Sequence, residues 1–148
     1  MSLRFLLDTN VVSQPVAPVP DPNVLAKLKE NQMEMAIAAV VWHELVFGAR
    51  RLPRSRRRRA IERFLAEVVE PCIPIVPYDA AAAGWHGEER ARLRAEGLTP
   101  AFADGQVAAT AKVNGLVLVT RNVADFQSFR GLEVENWFAG SEGTHLGS

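Results

Sequence analysis

Short apolar runs recur along the sequence, and their alternation with longer helical segments most constrains the fold. The runs LRFLL (3–7), EMAIAA (34–39), IPIVP (73–77) and LVLVT (116–120) are nearly continuous in apolar residues, as expected of strands covered on both faces. A weaker run, LEVEN (132–136), predicts a fifth strand at an edge of the sheet. Because segments with helical periodicity separate these strands, the sequence predicts an α/β fold with a mostly parallel sheet.

The helical segments carry recognisable start and stop signals. Ser55 is placed to cap one helix, which Pro71 is expected to end, and Thr99 is placed to cap another, with Pro100 at its first position and Gly115 after its end. The predicted helices cover residues 23–32, 40–50, 55–70, 79–97 and 99–115. Four prolines in PVAPVPDP predict an irregular first connection.

Length and composition predict a single cytoplasmic domain. The 148 residues suit a single domain, expected over residues 1–138, and the polar tail at 139–148 is expected to be flexible. The sequence has no apolar run near the roughly 18 residues of a membrane span and no signal-peptide pattern, so we expect a cytoplasmic protein without membrane attachment. The single cysteine, Cys72, excludes an internal disulfide and a multi-cysteine zinc site.

The charge balance is neutral overall but uneven along the chain. Lysine and arginine total 17, as do aspartate and glutamate, yet RRLPRSRRRR concentrates arginines at residues 50–59. Such a cluster could bind the phosphates of RNA, dock an acidic partner, or form a solvated helix surface. The sequence leaves these three interpretations open.

Four acidic residues stand out by position. Asp8 follows the first strand and Asp125 the fourth, where ligands bind in parallel sheets. Glu44 and Asp104 each interrupt a mostly apolar helix face. Each also has a purely structural explanation: a cap or turn for the two strand-end aspartates, an ion pair with Arg50 for Glu44, and a favourable helix dipole for Asp104.

Converging carboxylates repel one another unless cations or protons offset their charge. Hard divalent cations prefer carboxylate oxygen and water, and such a site can direct water against a phosphodiester. The sequence lacks a GxSxG elbow or a supported Cys–His pair. We expect His43, His86 and His145 to be structural or solvent-facing rather than catalytic.

Four segments together carry a family resemblance. LLDTN, VVWHELVFGAR, PAFADGQVAATA and LVTRNVADF occur in this order, and over residues 4–138 the chain resembles the PIN-domain family, specifically the VapC-like toxins of bacterial toxin–antitoxin pairs, including the FitB-like branch. The resemblance implies a three-layer α/β/α fold whose central sheet has five mostly parallel strands in the order 3-2-1-4-5. Gly105 departs from the pattern, because a better helix former is expected after Asp104.

The resemblance also implies an endoribonuclease that depends on Mg²⁺ or Mn²⁺. Asp8 and Asp104 would bind the metal directly, and Glu44 and Asp125 through water or at a second ion. The implied polar supports of this site are Thr9, Asn10, Thr120 and Asn122. Candidate substrate-binding residues are Arg50, Arg51, Arg54 and Arg121. The implied partners are RNA, a VapB- or FitA-like antitoxin and a second copy of the chain.

Two other classes compete with this interpretation. A non-catalytic module could keep the fold and bind RNA or an antitoxin, although the presence of all four acids argues against it. A phosphate-accepting receiver domain needs paired acids near strand one and a lysine after the last strand; here Asp8 stands alone and no lysine follows Lys112. The nucleotide-binding patterns GxxxxGK and GxGxxG are absent.

Overall fold

A computed structural model describes residues 2–140 and the backbone of 145–146, and it contains a central sheet in the order β3-β2-β1-β4-β5-β6. The strands are β1 Phe5–Leu7, β2 Met35–Ala38, β3 Ile75–Val76, β4 Val117–Val119, β5 Val134–Glu135 and β6 His145–Leu146. The first five are parallel, which confirms the predicted order 3-2-1-4-5.

The outer edge of the sheet differs from the prediction. β6 pairs antiparallel with β5, matching Val134 with Leu146 and Glu135 with His145. β5 is therefore an inner strand, because β6 covers the edge that was expected to be free. The segment that forms β6 is too polar to be predicted as a strand. The prediction of a flexible tail concerns residues that lie largely outside the described part of the chain.

Helices cover the sheet. They are α1 Thr9–Val12, α2 Pro22–Glu30, α3 Ala39–Arg50, α4 Arg56–Phe64, α5 Glu70–Cys72, α6 Ala80–Ala95 and α7 Phe102–Val113, with 3₁₀ turns at Gln14–Val16 and Val123–Phe126. All residues of β1 and β2 are buried, so both faces of the sheet are covered, as the three-layer arrangement requires. Within the described ranges, no helix combines the length and apolar character needed to cross a membrane.

The expectation that Pro71 ends its helix is wrong. Leu65–Val69 forms a π-helical turn between α4 and α5, and the helical backbone continues through Pro71. Beyond it, the N–H of Ile73 donates to the carbonyl of Val69 at 2.9 Å. The wider π turn accommodates a residue that has no N–H to donate to the preceding turn.

The predicted start of α7 at Thr99 and Pro100 is also wrong. The helix begins at Phe102, after an extended Ala101 that provides no side-chain cap, so Thr99 and Pro100 precede it. The ring of Phe102 packs against that of His86 with centroids 4.7 Å apart. This tertiary contact fixes the helix start in place of the local capping signal.

Candidate active site

Asp8 lies at the carboxyl end of β1 and is held by three neighbours. Its N–H continues the β1–β4 pairing by donating to the carbonyl of Val119 at 2.9 Å. Its carboxylate caps α1, accepting from the N–H of Thr9 at 2.8 Å, and also accepts from the Thr120 hydroxyl at 2.7 Å and the Asn10 amide at 3.4 Å. Asp8 thus serves as a cap and faces the end of the sheet at the same time.

Glu44 is held by a residue at the start of α1. It lies on α3, which follows β2 directly, and its Oε2 accepts a hydrogen bond from the Thr9 hydroxyl at 2.7 Å. The ion pair with Arg50 considered from the sequence is not formed, because Arg50 pairs with Glu62 at 3.2 Å instead. Thr9 therefore links Glu44 to Asp8 through consecutive hydrogen bonds.

The pKa of Asp104 shows that the four acids are close together. It lies in the first turn of α7. Burial, followed by the negative charges of Asp8, Asp125 and Glu44, raises its pKa to about 6. Asp125 is exposed in the 3₁₀ turn after β4. The structure thus brings the four predicted acids to one end of the sheet.

The remaining polar supports are also at this end. Asn10 accepts from the N–H of Arg121 at 3.0 Å, and Thr120 accepts from the N–H of Asn122 at 3.0 Å. Thr9, Asn10 and Thr120 act through their side chains, whereas Asn122 acts through its backbone. These bonds tie the loop after β4 to the start of α1.

Sequence reasoning missed a group that supports Asp104 from behind. The Tyr78 hydroxyl hydrogen-bonds His86 Nδ1 at 2.8 Å, and a Cβ added at Gly105 would overlap the His86 ring. His86 is buried, and burial together with the nearby Arg90 lowers its pKa. The unexpected glycine next to Asp104 is therefore required by the imidazole. A glycine inside a helix was the sequence signal for this close approach.

The donor set suits a hard divalent cation. Within residues 2–140, no lysine or arginine forms an ion pair with any of the four acids. In the same part of the chain, no group of three or more His, Cys, Asp or Glu side chains is arranged to enclose a metal ion. Carboxylate oxygens without a cationic partner are nevertheless the ligands that Mg²⁺ prefers, and Mg²⁺ needs few of them because it keeps several of its waters.

The arginines predicted to bind substrate occupy different positions. Arg50 is engaged with Glu62, and Arg121 stacks over the Phe138 ring at 4.6 Å. Arg54 is exposed. Only Arg51 lines a cavity that also contains Thr9 and Glu44.

Comparison with known proteins identifies the family of the chain. The family model for the PIN domain matches residues 5–131. This chain belongs to the PIN-domain family. The match spans β1 to the segment before β5, and it includes all four acids.

Individual PIN-domain relatives confirm the resemblance to VapC and FitB. The tRNA(fMet)-specific endonuclease VapC of Shigella flexneri is 35% identical over 136 residues, which cover 91% of this chain and 98% of the relative. Toxin FitB of Neisseria gonorrhoeae is 32% identical over 125 residues, covering 82% and 90%. The crystal structure of FitAcB from Neisseria gonorrhoeae aligns with a TM-score of 0.80 at 31% identity, covering 88% of this chain and 95% of that chain.

Proposed function

We propose that this PIN domain is a divalent-metal-dependent endoribonuclease and acts as the toxin of a toxin–antitoxin pair. The observation that carries the proposal is the convergence of Asp8, Glu44, Asp104 and Asp125 without a cationic partner among the described residues. Such a set concentrates negative charge where a phosphodiester could be attacked. It is therefore suited to a cation, which would reconcile the site with an anionic substrate.

The chemistry divides between the residues and the ion. Mg²⁺ or Mn²⁺ would activate water and offset charge on the phosphate. Asp8 and Asp104 would hold the ion directly, and Glu44 and Asp125 would do so through water or at a second ion. Thr120 orients the carboxylate of Asp8, and Thr9 orients that of Glu44. Below about pH 6, where Asp104 still holds a proton, a cation would have to displace that proton in order to bind.

RNA is the proposed substrate class. The Shigella flexneri relative is named as a tRNA(fMet)-specific endonuclease, so tRNA(fMet) is the first substrate to test. The Neisseria gonorrhoeae relative is named as a toxin. Solved structures similar to this chain include FitAB and VapBC bound to DNA, and these support an antitoxin of the VapB or FitA kind as partner. We further propose that the chain forms a homodimer and acts in the cytoplasm.

The test compares aspartate-to-asparagine variants. Wild-type protein should cut tRNA(fMet) or another RNA in Mg²⁺ or Mn²⁺ and lose cleavage in EDTA. Asp8→Asn and Asp104→Asn should remain folded and lose cleavage. Asp79→Asn is the matched control, because Asp79 only caps α6 and asparagine is an equally good cap.

Two results would contradict the proposal. Cleavage by both site variants at the wild-type rate would exclude the acids from the reaction. RNA binding without cleavage in any divalent metal would instead support the non-catalytic module.

A further inference from the structure

A groove runs from Glu44 along α3 toward the arginine-rich turn. Its volume is about 360 Å³, and its lining includes Thr9 and Glu44 from the candidate site together with Arg51 and Arg57. We call this cavity the side groove. It joins the acidic end of the sheet to positive charge within one concave surface.

Helix geometry explains how the side groove reaches so far. Glu44, Gly48 and Arg51 follow one another at i, i+4 and i+7 and therefore share a face of the helical backbone. With a rise of about 1.5 Å per residue, Arg51 lies about 10 Å along the helix from Glu44. All three residues line the groove.

Only part of the arginine cluster is directed to this groove. Arg50 and Arg58 both pair with Glu62, at 3.2 Å each, and Arg58 also donates to the Leu52 carbonyl. Arg51 and Arg57 are exposed, line the groove, and form no ion pair with an acid in the described ranges. The cluster is thus divided between two arginines that pair with Glu62 at the α3–α4 connection and two others, Arg51 and Arg57, that line the same groove as Glu44.

The wall of the side groove gives it a second kind of contact. Leu45, Leu52, Ile61 and Val16 contribute apolar surface. A Cβ built at Gly48 meets no atom within 4 Å, so the glycine leaves open space inside the groove. An anionic strand with apolar base and sugar surfaces complements charge and apolar wall together.

We propose that the side groove binds the RNA strand next to the cleaved phosphodiester, with Arg51 and Arg57 neutralising its flanking phosphates. This inference rests on the proposed ribonuclease function and adds the path of the substrate. The acids repel an RNA backbone, and a cation among them would offset only the phosphate at the reaction centre. Flanking phosphates need separate positive charge, which these two arginines supply.

The first experiment removes charge inside and outside the side groove. Arg51→Gln/Arg57→Gln is compared with Arg56→Gln/Arg59→Gln, whose arginines are exposed on α4 but do not line the groove. Both pairs carry Asp8→Asn to prevent cleavage. Binding of a labelled 12-nucleotide single-stranded RNA is measured by fluorescence anisotropy over a range of salt concentrations.

The groove pair should bind on the order of tenfold more weakly than the control pair, because charge-assisted contacts are lost. Its plot of log affinity against log salt should be shallower by about 1.4, that is about 0.7 for each phosphate contact removed. With Asp8 restored, the groove pair should raise the KM for RNA cleavage and change kcat little. Equal affinities and equal salt slopes for the two pairs would overturn the proposal and leave the groove to a protein partner.

The second experiment fills the side groove without changing charge. Gly48→Leu should keep or raise the Tm, because leucine favours helix, and should weaken RNA binding. Gly87→Leu is the control, since Gly87 is exposed on α6 and a Cβ there also meets no atom within 4 Å. Unchanged affinity in folded Gly48→Leu would overturn the proposal. Anisotropy measures RNA binding without turnover and therefore tests the role of the groove. Cleavage by the wild-type protein separately tests the ribonuclease function.

Discussion

The Thr120 hydroxyl donates a 2.7 Å hydrogen bond to Asp8 Oδ2, joining the ends of two neighbouring strands that are 112 residues apart in sequence. Thr120 is completely buried. Its oxygen also accepts from the N–H of Asn122 at 3.0 Å. One hydroxyl therefore orients the Asp8 carboxylate and holds the loop that leads to Asp125.

Thr120→Val should separate this orienting role from simple packing. Valine keeps the shape but leaves the Asn122 N–H without its acceptor and Asp8 without its short donor, so we expect a loss of about 1–2 kcal/mol in unfolding free energy. RNA cleavage should fall about 10–100-fold if Asp8 holds a metal, as is typical when a ligand loses its support. Urea unfolding and initial cleavage rates measure the two effects.

Thr110→Val is the matched control. Thr110 is buried to 1% exposure, and its hydroxyl bonds only the Gln106 carbonyl within α7. It should therefore leave the cleavage rate near that of wild type. Equal losses of cleavage in both variants would mean that Thr120 contributes only to packing.

The contact between His86 and Gly105 predicts a coupled pair of substitutions. In Gly105→Ala the new methyl group overlaps the imidazole, so we expect a loss of about 1–3 kcal/mol in unfolding free energy from overpacking. His86→Ala should make room for it. The double variant should therefore be more stable than the sum of the single effects predicts, by about 0.5–2 kcal/mol.

Gly84→Ala on α6 is the control for helix propensity. A Cβ at Gly84 meets nothing within 4 Å, so this change should stabilise the protein by about 0.5–1 kcal/mol. Strictly additive effects of Gly105→Ala and His86→Ala in a double-mutant cycle would show that the ring does not impose the glycine.

The raised pKa of Asp104 predicts a pH-dependent stability in the absence of divalent ions. An unfolded aspartate has a pKa of about 3.9, whereas the pKa of Asp104 in the native protein is about 6. Between these values the native state holds a proton that the unfolded state has released. The contribution of Asp104 to stability therefore falls as pH rises from about 4 to about 6 and stays low above it.

Asp104→Asn should remove this dependence. In EDTA at pH 7.5, the unfolding free energy of the variant should exceed that of wild type by about 1–2 kcal/mol, which allows for the partial solvent exposure of Asp104. At pH 4 the two unfolding free energies should be nearly equal. Urea unfolding at several pH values measures the difference, with Asp79→Asn as control. A difference that is constant across pH would contradict the assignment.

Added Mn²⁺ should show the opposite pH preference. The cation has to displace the proton from Asp104, so it should raise the Tm of wild-type protein more at pH 7.5 than at pH 5. The same shift should be absent in Asp104→Asn. An equal Tm shift at both pH values would place Mn²⁺ away from this carboxyl.

Glu89 predicts a stability effect far from the acids. Its buried carboxylate accepts from Arg92 at 2.8 and 3.0 Å and from the N–H of Arg130 at 2.9 Å. The Arg92 hydrogen bonds lower the pKa of Glu89. Its contribution is therefore present above about pH 4.3 and is lost as pH falls through the lowered native value.

Glu89→Gln should cost about 1–3 kcal/mol at pH 7, because a buried charged hydrogen-bond network is broken. The cost should shrink in acid, where wild type loses the same interaction. Glu88→Gln is the control, since Glu88 is exposed on the same helix. Equal unfolding free energies for the two variants at pH 7 would argue against the network.

Local patterns were sufficient for the sheet and for most helices. The apolar runs located β1 to β5, and Gly115 ends α7 with a positive φ of 64°, as its position predicted. The predictions from Pro71 and Thr99 were wrong. A π-helical turn accommodates Pro71, and a ring contact fixes the start of α7. Neither feature is visible in a local sequence pattern. β6 was missed because its pairing with β5 is a tertiary event in a polar tail.

The sequence by itself determined which residue types stand at the strand ends and on the helix faces, because periodicity and strand termination are local properties. It therefore nominated Asp8, Glu44, Asp104 and Asp125 together. Only the tertiary structure decided how they are held and which arginines are free. Hydrogen bonds such as Thr120 to Asp8, and the engagement of Arg50 with Glu62 rather than Glu44, depend on distances across the fold. Those distances arise only when the sheet and its helices pack together.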